Sequence, residues 1–268
     1  FVLILLFLII TKKPIVFKTQ YPLLTFTRVI LFFFGFSSFY VSLTVLPLGT
    51  ATALFFVTPF LITIFAHFFL KEEIGLRRWS AVVVGFIGVY VTLNPDFSNF
   101  NYLSLLPILC AFCYSLSMII IKKTSDKDSV YTQTFTFYIG AIILSIIFYF
   151  VIGDGQYNTS NHPASQFIFR EWFVDFNSNI LLMTATGVTA TLAFFFLFTA
   201  YSIASPSVVS PFEYSILFWS PLVGWLYFDE IPSLNTVVGI LIIVSSGVYI
   251  FMREKAQNQS IATEKPLR

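Results

Sequence analysis

Charged residues in this chain are almost confined to the gaps between long apolar runs, and that spacing excludes most folds. The runs cover 1–10, 23–45, 49–70, 78–94, 102–121, 131–152, 179–202, 207–228 and 233–252. The first is partial. The eight full runs are each roughly 16–24 residues long, enough to cross a bilayer with some tilt or thinning. Of the 268 residues, 10% are charged and 57% are hydrophobic, whereas a soluble domain carries about 25% charged residues. A water-soluble fold has no place for this much apolar surface, so the solvent is lipid. In lipid each backbone polar group must be satisfied internally, and for runs of this length that means helices. The sequence therefore predicts an all-α polytopic membrane protein. The 35 phenylalanines suit lipid-facing surfaces but fit an AT-rich coding bias equally well, so no site is drawn from them.

The net charge of +2 says little by itself; its distribution says more. Cytoplasmic loops of membrane proteins carry an excess of Lys and Arg. Lys12, Lys13, Lys18 and Arg28 surround the loop 11–22, and Lys71, Arg77 and Arg78 surround the loop 71–77. Lys122, Lys123 and Lys127 sit in the loop 122–130, and Arg253, Lys255, Lys265 and Arg268 in the tail. Counted from the partial run, all four groups fall on one side. Of the 15 basic residues only Arg170, in the long loop 153–178, falls on the other. The basic side is read as cytoplasmic, with the C-terminus on it. The tail 253–268 is polar and is expected to be disordered.

Two stretches of the chain resemble each other. Between 49–90 and 206–249, Phe55 meets Phe212 and Glu72-Glu73-Ile74 meets Asp229-Glu230-Ile231. After a shift of two, Gly88-Val89-Tyr90 meets Gly247-Val248-Tyr249. The copies lie an odd number of runs apart, so they cross the membrane in opposite directions. The expectation is an inverted-topology repeat, with a first repeat over 1–95 and a second over 102–252. Symmetry asks for ten helices, placing one whole helix and part of another ahead of Phe1, so the first repeat is read as N-terminally truncated. Repeats of this kind point to a secondary transporter.

The stretch LPLGTATALFFVTPFLITIFAHFFLKEEIGLRRWSAVVVGFIGVYVTLNP (46–95) resembles the late part of the first repeat in EamA-type permeases of the drug/metabolite transporter superfamily. PFEYSILFWSPLVGWLYFDEIPSLNTVVGILIIVSSGVYI (211–250) resembles the same part of the second repeat. With the helices between them the likeness covers nearly the whole chain. PFEYS and LPLGTATAL lean toward the subgroup that includes S-adenosylmethionine uptake permeases. The resemblance implies ten transmembrane helices in two inverted halves, both termini cytoplasmic, and a central cavity lined by both halves. It implies transport of small metabolites, such as amino-acid or nucleoside-like compounds, across a bacterial inner membrane.

Among candidate binding residues Glu213 stands first. It lies about six residues into its run, or ~9 Å along a helix. An acid at such depth is costly and usually faces a cavity. It is expected either to carry a coupling proton or to pair with a cationic group; the alternative is a structural acid bonded to a neighbouring helix. Tyr214 and Trp219 share its helix, and Tyr40 and Tyr114 also combine apolar bodies with polar tips, as a substrate cavity requires. Arg28 either snorkels to the interface or binds a carboxylate or phosphate. Pro59, Pro107, Pro211 and Pro221 interrupt their runs, and Gly85 and Gly88 invite close helix packing. The acidic pairs are read as serving the positive end of the helix that follows each of them.

Cys110 and Cys113 are read as apolar fillers, and His67 and His162 lie too far apart to share a metal. No catalytic residue, cofactor or metal is expected. The expected partners are a small-molecule substrate and the lipid bilayer, with no nucleic acid; proton coupling, metabolite exchange and oligomeric state stay open. No GxxxxGK[ST] loop is present to drive transport by nucleotide. A membrane-embedded enzyme or a passive channel are the competing classes. Two distant histidines and few charges within the runs argue against the enzyme.

Overall fold

The computed structural model describes Val2, Leu5, Ile9, Ile10 and residues 18–72, 75–94, 101–174 and 176–256. The described elements are helical: α1 (Pro22–Ser42), α2 (Leu48–Phe55), α3 (Thr58–Leu70), α4 (Leu76–Leu93), α5 (Leu106–Thr124), α6 (Val130–Ile152), α7 (Pro163–Phe169), α8 (Phe176–Ile203), α9 (Pro206–Val209), α10 (Ile216–Phe228) and α11 (Leu234–Ala256). Short 3-10 segments, Tyr102–Leu105 and Ser210–Ser215, lead into α5 and α10. Five stretches are long and apolar enough to cross a membrane: Pro22–Ser42, Leu48–Leu70, Tyr102–Thr124, Val130–Ile152 and Ser178–Ile203. The runs at 78–94 and 233–252 form helices with shorter apolar parts, Trp79–Leu93 and Leu234–Tyr249. α11 continues to Ala256, into the tail expected to be disordered; the rest of that tail, and most of the partial run 1–10, lie outside the described residues.

Two runs are broken inside the span. Pro59 enters the first turn of α3 and has no N–H to return to the carbonyl of Phe55. The helix stops there, and the hydroxyl of Thr58 donates to the Phe55 carbonyl instead. This is how a break survives in a medium without water. In the run 207–228 the change is larger. α9 gives way to the 3-10 segment Ser210–Ser215, which contains Pro211, and only then does α10 begin. Pro221 lies inside α10 without ending it, and Pro107 is the second residue of α5.

The described residues divide into two compact units, one within 1–33 and 120–203, the other within 34–119 and 204–256. In the first, Phe32 packs edge-on against Phe137, Phe194 and Phe198, with centroids 5.0, 5.6 and 5.8 Å away. Its helices α6 and α8 present Ile142, Ile146, Leu181 and Phe196 outward, as lipid-facing helices do.

The second unit is centred on the broken runs, with Leu54, Phe56, Phe60, Val82, Leu217 and Ile243 in its core. Helices α4 and α11 touch through glycine. A Cβ on Gly88 would lie 3.0 Å from the Gly239 carbonyl oxygen and 2.9 Å from Ile243 Cγ1. Ser246 donates across the same pair of helices to the Ala81 carbonyl at 2.6 Å. Lipid tails are as apolar as the side chains, so close contact and interhelical hydrogen bonds hold such helices together.

The acidic loops are expected to serve the helices that follow them; the hydrogen bonds that the structure shows run elsewhere. Glu230 Oε2 accepts the N–H of Leu48, the first residue of α2, at 2.6 Å. Glu72 Oε1 accepts the hydroxyl of Ser205, just ahead of α9, at 2.7 Å. Each acid thus reaches the start of the other broken run, because a free N–H or cap hydroxyl is available there. Glu73, and the side chain of Arg78, lie outside the described residues.

Candidate functional site

The broken runs bring the strongest sequence candidates together. Glu213 sits in the 3-10 segment Ser210–Ser215, where the backbone has left the α-helical path. Tyr114, on α5, donates its hydroxyl to the Glu213 carboxylate, 3.0 Å from Oε1 and 3.1 Å from Oε2. The hydroxyl faces both oxygens, so the carboxyl group of Glu213 is held in orientation. Tyr114 is itself buried, and its ring meets Phe55 edge-on at 5.4 Å and Phe36 at 6.3 Å. Phe55 is the last residue of α2 before its break. The carboxylate is therefore tied to a tyrosine that is itself walled by aromatic rings, beside the ends of two interrupted helices. Rings beside an anion favour a desolvated organic cation, since both the carboxylate and the ring faces attract positive charge.

Tyr214 follows Glu213 but points elsewhere. Its ring packs on Phe56 at 5.6 Å and fills the space beside Gly247, where a Cβ would fall 2.0 Å from a ring carbon. Its hydroxyl is buried with no hydrogen-bond partner among the described residues. Trp219 and Tyr40 are 57% and 53% exposed. Trp219 is six residues beyond Glu213, about 240° around an ideal helix. Sharing a helix with Glu213 therefore does not put it on the same face.

Arg28 belongs to the first unit, whereas the other five candidates belong to the second. It does not snorkel: it is 1% exposed. Its guanidinium donates to Gln133 Oε1 at 3.2 Å and to the Gln133 carbonyl, and lies over the rings of Phe198 and Phe137 at 5.1 and 5.5 Å. Gln133 in turn donates to the Asp128 carbonyl at 3.2 Å, and the Asp128 carboxylate accepts from Thr19 and from the Gln20 N–H. The chain of contacts pins the entry of α1 to the start of α6. We expect Arg28→Met, which keeps volume and removes the charge, to be near neutral for thermal unfolding in detergent. Gln133→Leu, which removes the side-chain acceptor of a buried cation and leaves the backbone carbonyl, is expected to cost about 2 kcal/mol. A ligand-binding role agrees on stability and differs on transport: it predicts that Arg28→Met abolishes uptake, whereas the structural role predicts that uptake survives.

The two histidines close local turns. His67 Nδ1 bonds the Glu72 carbonyl at 2.7 Å, and His162 caps α7 through the Ala164 N–H at 3.2 Å. Cys110 and Cys113 are free and buried, with Cys113 filling the notch beside Gly35. Thr184 and Thr189, exposed on α8, return their hydroxyls to carbonyls of their own helix at 2.7 and 2.9 Å. Sequence reasoning missed Phe36 and Phe55, which build the wall behind Tyr114. Nothing local separates them from the other phenylalanines except that Phe55 stands four residues before Pro59.

The sequence matches the EamA-like transporter family over residues 1–94 and 102–252. The chain belongs to that family. As an EamA-family chain it is an integral membrane protein of the drug/metabolite transporter superfamily. It is 32% identical to the S-adenosylmethionine uptake transporter of Rickettsia felis over 238 residues, 89% of this chain and 74% of that protein. It is 31% identical to the riboflavin transporter of Vibrio cholerae over 213 residues, 80% of this chain and 65% of that protein. A protein of known crystal structure superposes on this EamA-family chain with a TM-score of 0.62, covering 93% of this chain and 83% of its own, at 15% identity. That last likeness speaks to the fold alone.

Proposed function

We propose that this chain is a secondary transporter that carries a small organic cation across the bacterial inner membrane by alternating access, and that Glu213 receives the positive charge. The observation that carries this reading is the Glu213 carboxylate at a helix break, oriented by Tyr114 beside aromatic rings. Discontinuous helices near the midplane are where secondary transporters hold charged substrates. In this reading the ten-helix arrangement of inverted repeats applies, with both termini cytoplasmic and domain limits at 1–95 and 102–252. S-adenosylmethionine is the first substrate to test, because several relatives are named for its uptake and because it unites a sulfonium, an ammonium and a flat purine. A carboxylate and aromatic faces complement all three groups. Tyr214, Trp219 and Tyr40 are proposed as secondary contacts only.

Reconstituted protein should take up labelled S-adenosylmethionine with saturable kinetics. Unlabelled S-adenosylmethionine should compete, and riboflavin, which lacks the cationic centre, should compete far less. Uptake linear in concentration would mean a passive channel, and conversion of the labelled compound to a product would mean an enzyme. An imposed proton gradient that speeds uptake in wild type and not in Glu213→Gln would assign the coupling proton to Glu213; stimulation by internal substrate would assign exchange.

A further inference from the structure

The two broken runs of the second unit are tied to one another at both ends, and the ties are equivalent. The second half of each run is a helix of 13 residues, Thr58–Leu70 and Ile216–Phe228. Each ends on a left-handed residue, Lys71 with φ 59° and Asp229 with φ 55°. The residue after it returns its N–H to the carbonyl six positions back, Glu72 to Ala66 at 3.2 Å and Glu230 to Gly224 at 3.1 Å. Matching these caps pairs Glu72 with Glu230, Phe56 with Tyr214 and Pro47 with Ser205. The sequence match, which sets Glu72 against Asp229, is one residue out of register with the geometry.

In this register the two donors also correspond. Leu48 and Pro206 are each the first residue of their helix. Leu48 gives its backbone N–H to Glu230. Pro206 has none to give, and the preceding Ser205 gives its hydroxyl to Glu72 instead. The same tie is therefore made at both ends by different chemistry. Between them the rings of Phe56 and Tyr214, themselves a matched pair, meet at 5.6 Å.

We propose that Glu72 and Glu230 are a pair of latches, each closing one end of the two antiparallel broken runs, with the Phe56–Tyr214 contact as the pivot between them. The proposal rests on the transporter reading above. Each latch turns on a hydrogen bond accepted by a partly buried carboxylate, and water can take the place of either partner at modest net cost when it opens. Opening one latch frees the start of one run and the turn of the other at that membrane face. The opposite latch and the pivot stay in place, so only one face gains access to the breaks. Gly224 belongs to the device: a Cβ there would stand 3.1 Å from Glu230 Oε2.

The test uses Val57, buried at the break of the first run, replaced by Cys in protein whose Cys110 and Cys113 are replaced by Ala. Right-side-out and inside-out membrane vesicles are exposed to a membrane-impermeant maleimide. Glu230→Ala should raise the labelling rate from the Leu48 face about tenfold, a population shift of ~1.4 kcal/mol, and leave the other face unchanged. Glu72→Ala should do the reverse. Removing the donor should reproduce removal of the acceptor, so Leu48→Pro should mimic Glu230→Ala and Ser205→Ala should mimic Glu72→Ala. The Gln variants, which keep an acceptor oxygen, should shift the same face by less; they decide the matter where an Ala variant fails to unfold at the parental temperature. Labelling that rises equally from both faces, or that no variant changes, overturns the latches. Because labelling needs no substrate, face-specific labelling without uptake would remove the transport reading and keep the latches. Normal uptake with face-blind labelling would remove the latches alone.

Discussion

Glu213→Gln should lower the uptake efficiency of a cationic substrate by at least about 30-fold at unchanged protein abundance. The change keeps the shape of the side chain and an acceptor for Tyr114 but removes the charge. Truncating one partner of a desolvated, hydrogen-bonded charge pair costs about 2–5 kcal/mol, and ~2 kcal/mol is already a factor of about 30. Tyr114→Phe should cost less, about tenfold, because it deletes one hydrogen bond to a charged group, worth ~1.5 kcal/mol, and leaves the carboxylate present. The loss in Tyr114→Phe should fall mainly on KM, since the carboxylate then loses one of the contacts that orient it. Initial-rate uptake in proteoliposomes, normalised to protein per vesicle, reads both. Wild-type kinetics in Glu213→Gln would end the assignment of Glu213 as the charge receptor.

Gly88→Leu should be strongly damaging although it lies away from the site. At Gly88 even a Cβ meets the Gly239 carbonyl oxygen at 3.0 Å, and a backbone oxygen cannot swing aside as a side chain can. Overpacking a tight contact costs about 1–3 kcal/mol and sometimes more. Separating α4 from α11 would also break the Ser246 bond to the Ala81 carbonyl. Gly187→Leu is the control: it sits on α8 with nothing within 4 Å of its Cβ position, and should be neutral or slightly stabilising because Gly is a poor helix residue. Thermal unfolding in detergent and the yield of folded protein compare the two. Equal behaviour of Gly88→Leu and Gly187→Leu would show that the α4–α11 contact does not limit stability.

The spans were legible because a bilayer sets a length, and α1, α6 and α8 begin and end within a few residues of the runs that predict them. Glu213 was legible for the same reason, as a charge where lipid allows few. The depth of the breaks was only half legible. Pro59 and Pro211 announced an interruption, but whether a helix runs on through a proline, as at Pro221, or ends beside it, as at Pro59, depends on what can take up the orphaned carbonyl. At Phe55 that is the hydroxyl of Thr58. The partner of Glu213 was not legible at all, since Tyr114 lies 99 residues away and meets it only through folding. The face that Trp219 presents was not legible from its shared run with Glu213, because the chain between them passes from a 3-10 segment into an α-helix. Arg28 was misread because its position near a helix end says nothing about the ring cage and Gln133 that enclose it.

The two acid ties also differ in what evolution can do to them. The one at Leu48 is made by the main chain, so every residue type except proline provides it, and no ordinary substitution at that position can loosen it. The one at Ser205 depends on a side-chain hydroxyl, and a single change to alanine or glycine deletes it. One end of the paired runs is thus adjustable by point mutation on the acceptor side alone, at Glu230, while the other is adjustable at both partners. Selection for faster or slower opening would then act unevenly, accumulating changes around Ser205 and Glu72 and leaving Leu48 free to drift.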